Sequence, residues 1–153
     1  MKKVLFPVAA LALLSCVVFG VGQAAAAEYL NAAPLNEKSY PISEAVRVGN
    51  LVYLSGKLGN MPGTPTLAAG GIKPEARQAM ENIKAVLEKH AWSLKNLVKC
   101  TIFLADAGEL TQFNEVYKTY FPDFNYPARS AVGVGGLALG ARVEVECIAA
   151  VDK

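Results

Sequence analysis

The apolar residues of this chain switch between a period of two and a period near 3.6 four times, and the order of those switches limits the fold more than any single motif. In "AVRVGNLVYLSGK" (45–57), two short alternating or apolar runs flank Gly49-Asn50, and a Gly-Asn link between such runs predicts a β-hairpin. Pro74 stands where a first-turn proline belongs. Ala76, Met80, Ile83, Leu87 and His90 then recur at helical spacing, so 74–90 reads as an amphipathic helix. In "LVKCTIFL" (97–104) the period returns to two, with Val98, Cys100, Ile102 and Leu104 assigned to one face, Thr101 and Phe103 to the other. Asp106 offers an N-cap, Leu110, Phe113, Tyr117 and Tyr120 mark a second helix, and Pro122 ends it. Strands near 129–134 and 142–150 close the chain. In the last, Val143, Val145, Cys147 and Ala149 share one face, and Glu144, Glu146, Ile148 and Ala150 share the other.

The resulting order, ββαβαββ, predicts an α+β domain in which two helices cover one face of a single sheet. The second face keeps apolar groups such as Phe103 and Ile148, which predicts association with another subunit. Residues 28–44 read as a loosely ordered lead-in and "LGNMPGTPTLAAGG" (58–71) as a loop. "GVGG" (133–136) lies between strands and does not open a helix, so no dinucleotide fingerprint is present.

The start of the chain carries Lys2 and Lys3, an apolar run from Val4 to about Gly22, and small residues ending at Ala25-Ala26-Ala27. This is the layout of a secretory signal peptide cleaved after Ala27, leaving 28–153 as an exported domain, periplasmic or secreted. Leu13-Leu14-Ser15-Cys16 also resembles a lipobox, which would instead anchor the domain to a membrane through Cys16. Of 15 Lys and Arg and 13 Asp and Glu, only Lys2 and Lys3 fall in the leader, so residues 28–153 carry 13 of each sign. A formally neutral domain lacks the cationic surplus that nucleic acid demands. Cys100 and Cys147 remain after the leader. Export permits a disulfide, but two buried free thiols are the blander and favoured reading. One histidine, His90, at the end of a helical pattern, gives no metal spacing and no nucleophile-base pair.

Candidate chemistry therefore rests on few groups. Arg129, after a Pro-Ala bend, could offer its planar fork to a small carboxylate; on residue types alone a structural ion pair is the simpler reading. Glu144 and Glu146 stand about 7 Å apart along a strand, and either could act as a general base. A solvated strand edge explains the two glutamates equally well; Ser55-Gly56 could line a ligand, though a turn is the usual explanation for such a pair. Asn114 and Tyr117 share a helix face, where packing is the default.

The segments "GNLVYLSGKLG", "ARQAMENIKAVLEKHAWSLKNLVKCTIFLAD", "FNEVYKTYF" and "YPARSAVGVGGLALGARVEVECIA" resemble, in order and spacing, the RidA/YjgF family of reactive-imine deaminases over about 41–151. The resemblance implies a chorismate-mutase-like fold assembled as a homotrimer with clefts between subunits. It also implies hydrolysis of 2-imino or enamine acids, such as 2-aminoacrylate, to 2-keto acids and ammonia without a cofactor or metal. Carried over by position, Arg129 would bind the substrate carboxylate and Glu144 would handle water and protons. Ser55, Gly56 and Asn114 would line the cleft, and "GVGGLALG" would bring the Glu144 strand back toward the arginine. The family's "PYSQA" reads Pro41-Ile42-Ser43-Glu44-Ala45 here, so Ile42 takes the tyrosine's place beside Tyr40. Lys57 replaces the glutamine of "SGQ", adding a positive charge near the site, and Ala131 replaces a frequent cysteine. Export is unusual for enzymes whose substrates arise mainly in the cytoplasm, and a binding protein for small carboxylates is the alternative. A ribonuclease reading fits the neutral charge and single histidine least.

Overall fold

The computed structural model describes residues 25–31, 41–123 and 125–152; residues 1–24 of the leader, Cys16 among them, and Tyr40 lie outside them. Seven strands form one mixed sheet: β1 (Ala27–Asn31), β2 (Ser43–Val48), β3 (Leu51–Leu54), β4 (Lys57–Leu58), β5 (Leu97–Leu104), β6 (Ala128–Gly133) and β7 (Val143–Ala150). The helices are α1 (Ile72–Lys89), between β4 and β5, and α2 (Leu110–Tyr117), between β5 and β6. The strand order is β1-β2-β3-β7-β5-β6, with β4 also on β7. All pairs are antiparallel except β5 with β6.

The period-two pattern of β7 sets the layers. Val143, Val145, Cys147 and Ala149 are buried against Met80, Ile83 and Leu87 of α1 and Phe113, Val116 and Tyr117 of α2. Glu144, Glu146, Ile148 and Ala150 lie on the uncovered face, as expected. That face is half apolar: Tyr53 and Val132 are exposed, Phe103 and Ile148 half-buried, and Lys99 Nζ donates to Ser130 Oγ at 2.7 Å.

Three features differ from the sequence expectations. The lead-in contributes β1, which pairs with the edge of β2; of its described side chains only Leu30 packs against the core, which leaves no apolar period to detect. In β5 an irregularity between Leu97 and Lys99 shifts the parity, so Leu97 is buried and Val98 is 44% exposed, not aligned with Cys100. Finally, Cys100 and Cys147 are not free thiols. They stand directly opposite on β5 and β7, with Cα atoms 4.1 Å apart, and form a disulfide. Register between distant strands decided that pairing, and no local pattern encodes it.

The turns agree with their residues. Gly49 takes φ +63° between β2 and β3, and the Asp106 carboxylate accepts from the Gly108 N–H at 2.8 Å ahead of α2. The chain returns to β7 through a clamp: the Arg142 N–H donates to buried Glu75 of α1 at 2.8 Å, and its guanidinium grips Glu109 bidentately.

The disulfide spans 47 residues, and constraint of the unfolded chain by such a loop is worth about 4 kcal/mol. The double variant Cys100→Ala/Cys147→Ala is expected to lose stability on that order in urea denaturation, and reductant to lower the wild-type midpoint while leaving the variant unchanged.

Candidate active site at the Arg129 cavity

Pro127 fixes the entry to β6, and the parallel register places Arg129 beside Cys100 on the face that carries the helices. Arg129 therefore leans over α2. Its Nη1 donates to Asn114 Oδ1 at 2.7 Å, and its guanidinium lies 5.1 Å from the Tyr117 ring centroid. Asn114 and Tyr117 are three residues apart on α2, so both reach the same side of that helix. Together with Lys118, Tyr126 and Pro127 they line an open cavity of about 350 Å³.

Among the described residues Arg129 forms no ion pair; the ion pairs are those of Lys57 and Lys89 with Glu44, Lys73 with Glu115, Lys84 with Glu88 and Arg142 with Glu109. The structural-pair reading of Arg129 thus has no partner to rest on. One edge of the guanidinium is held by a neutral amide, and the charge stays available to an anion entering the cavity.

Glu144 occupies a separate place. It registers with Phe103 on β5 and Leu58 on β4, on the uncovered face. Burial, with a smaller contribution from Glu146, raises its carboxyl above the usual range, which suits a group that must accept a proton. Gly56 makes room for it: a Cβ there would stand 1.9 Å from Glu144 Oε1. Arg129 and Glu144 of one chain therefore lie on opposite faces, with β5 between their strands. The "GVGGLALG" connection carries the chain past β5 without bringing Glu144 to the arginine.

The remaining candidates divide by position. Ser55 Oγ donates to the Ser43 carbonyl at 2.7 Å and ties β3 to β2, so of the pair only Gly56 borders Glu144. Lys57 faces away from Glu144: it registers with buried Val145, and its amine lies 3.9 Å from Glu44, which also pairs with Lys89. Burial lowers the Lys57 pKa against the pull of Glu44. Ile42 is 59% exposed ahead of β2, at neither group. Sequence reasoning gave no site role to Tyr117, Lys118 or Tyr126; the first was dismissed as packing, and the only signal was its three-residue spacing from Asn114.

The sequence model of the family described as "Endoribonuclease L-PSP" matches residues 31–151. The human 2-iminobutanoate/2-iminopropanoate deaminase is 40% identical over 109 residues, 71% of this chain and 79% of that protein. The chain belongs to the RidA/YjgF family. A solved RidA from the Antarctic bacterium Psychrobacter sp. matches with a TM-score of 0.69 and 40% identity, over 84% of this chain and 99% of that one. E. coli TdcF, solved with bound serine, matches at 0.70 and 32% identity, over 78% and 94%. The single sheet with two helices on one face is thus the α+β fold of this RidA/YjgF family.

Because the folded chain holds the Glu144 proton more tightly than the unfolded chain, its contribution to stability is full below the ordinary glutamate pKa. That contribution is lost as pH rises through the elevated one. Glu144→Gln is therefore expected to raise the urea midpoint at pH 7, with the advantage shrinking as pH falls through the elevated pKa and gone below the ordinary glutamate value of about 4.

Proposed function

We propose that this RidA/YjgF chain hydrolyses 2-imino and enamine acids, such as 2-aminoacrylate, to 2-keto acids and ammonia, at sites shared between subunits of a homotrimer. The observation that carries the reading is Arg129: a guanidinium in a cavity of about 350 Å³, steadied by Asn114 and unmatched by any described carboxylate. Curated relatives named 2-iminobutanoate/2-iminopropanoate deaminase support the reaction class, and the serine held by TdcF supports a ligand with an amino-acid carboxylate.

In this scheme the Arg129 fork anchors the substrate carboxylate and fixes the imine carbon. Glu144 of another copy, its proton affinity raised by burial, takes a proton from water as the oxygen bonds to that carbon. The C=N π pair becomes an amine lone pair, giving a carbinolamine, and Glu144 returns the proton to nitrogen. The hydroxyl proton then passes to the nitrogen as the C–N bond breaks, so that ammonia leaves with the electron pair and the oxygen lone pair closes the C=O of the keto acid. Because Arg129 and Glu144 of one chain face opposite ways, a second copy must meet the uncovered sheet face. The exposed Tyr53 and Val132 beside Phe103 and Ile148 supply an apolar surface for that meeting.

Export of the domain with cleavage after Ala27 is part of the same reading, supported by the Cys100–Cys147 disulfide, a bond that oxidising compartments sustain. Lipidation at Cys16, the alternative, would instead anchor the domain to a membrane.

The test generates imino acids with an amino-acid oxidase and follows keto-acid release. Wild type is expected to accelerate release, and Arg129→Ala to lower kcat/KM by about 100-fold, the cost of two charge-assisted hydrogen bonds. No acceleration across several imino acids would refute the assignment.

A further inference from the structure

Two cations border one cavity. Arg129 and Lys118 both line it, and the other lining residues, Asn114, Tyr117, Tyr126 and Pro127, include no carboxylate. Neither cation forms an ion pair among the described residues. The acid three residues before Lys118, Glu115, is drawn to Lys73 at 2.6 Å, and Lys118 makes the smallest contribution to the lowered pKa of its carboxyl. Helix α2 sets the spacing of the two charges. Asn114, which accepts from Arg129 Nη1 at 2.7 Å, stands four residues before Lys118, and the Lys118 N–H donates to the Asn114 carbonyl, closing a helical turn. Residues at that separation share a face, with Cβ atoms about 5–6 Å apart. Lys118 is exposed, and its flexible four-carbon stem can carry the ammonium over the cavity it borders. A lysine at the end of a helix also suits the helix dipole, which accounts for its charge but not for a cavity with two cations and no carboxylate.

We infer that the site takes dicarboxylic 2-imino acids, with Arg129 on the carboxylate next to the imine carbon and Lys118 on the distal one. This rests on the deaminase reading with Arg129 as anchor, and names the substrate class within it. A three-carbon substrate such as 2-aminoacrylate engages the Arg129 end alone and leaves the Lys118 charge unmatched. A chain with one or two methylenes between the imine carbon and a second carboxylate spans the turn of α2 and neutralises both cations. The arginine fork keeps the reacting end fixed, while the lysine, a mobile point charge, accepts a distal carboxylate on a chain of either length. In the proposed reaction Glu144 of the other copy serves water and the imine nitrogen, which leaves Lys118 to the substrate.

The experiment follows keto-acid release by the full chain from two imino acids, generated by oxidases from alanine and from glutamate. Wild type is expected to show the higher kcat/KM with the glutamate-derived acid. Lys118→Gln is expected to lower the ratio of dicarboxylic to monocarboxylic kcat/KM about tenfold, the loss of one hydrogen bond between charged groups, and Lys118→Arg to keep that ratio. A ratio unchanged in Lys118→Gln would overturn the inference, as would a wild type that favours the alanine-derived acid. If wild type accelerates neither release, the deaminase reading fails, and calorimetry with 2-oxoglutarate and 2-oxobutanoate decides the two-cation site by itself. Tighter binding of 2-oxoglutarate, with the preference lost in Lys118→Gln, would sustain that site. Equal affinities would overturn it.

Discussion

The alternation of β7 is the constraint from which the rest of the molecule follows. Val143, Val145 and Cys147 face the helices and Glu144 and Glu146 the opposite side, because successive residues of a strand cannot share a face. The register carries that division across β5 to β6 and puts Arg129 on the helix side. Helix α2 then supplies the arginine with an amide and an aromatic ring, while Gly56 leaves a notch for the Glu144 carboxylate. A chain that uses both groups on one small substrate has to bring two copies together. The apolar groups on the uncovered sheet face are where such a meeting would gain free energy.

Several devices hold this division rigid. The Cys100–Cys147 disulfide fastens β5 to β7 in the row that also contains Arg129. Glu75 and Glu109 fasten both ends of Arg142, two residues before Glu144. Groups positioned on strands and a helix, rather than on loops, are held more accurately.

Much of this was legible in the sequence. Both helices, the hairpin at Gly49-Asn50 and the faces of β7 followed from apolar period and turn residues, because those signals are local. Strand β1 was not legible, since only Leu30 of its described side chains packs on the core, and the Val98 irregularity broke a pattern that looked regular. The disulfide and the separation of Arg129 from Glu144 depend on register between strands far apart in the chain, which a single sequence does not display. The family resemblance named Arg129, Glu144, Gly56 and Asn114 but could not say that Lys57 turns toward Glu44, or that the Tyr117 ring lies beside Arg129 at the cavity.

Subunit mixing tests the central claim that the working site takes Arg129 from one copy and Glu144 from another. Arg129→Ala and Glu144→Gln are each purified, shown to be inactive in imine hydrolysis, then unfolded together and refolded as a mixture. A shared site predicts recovered activity in the mixture, because some interfaces pair an intact Arg129 with an intact Glu144. A mixture as inactive as its components, with subunit exchange verified by mass, would contradict the account.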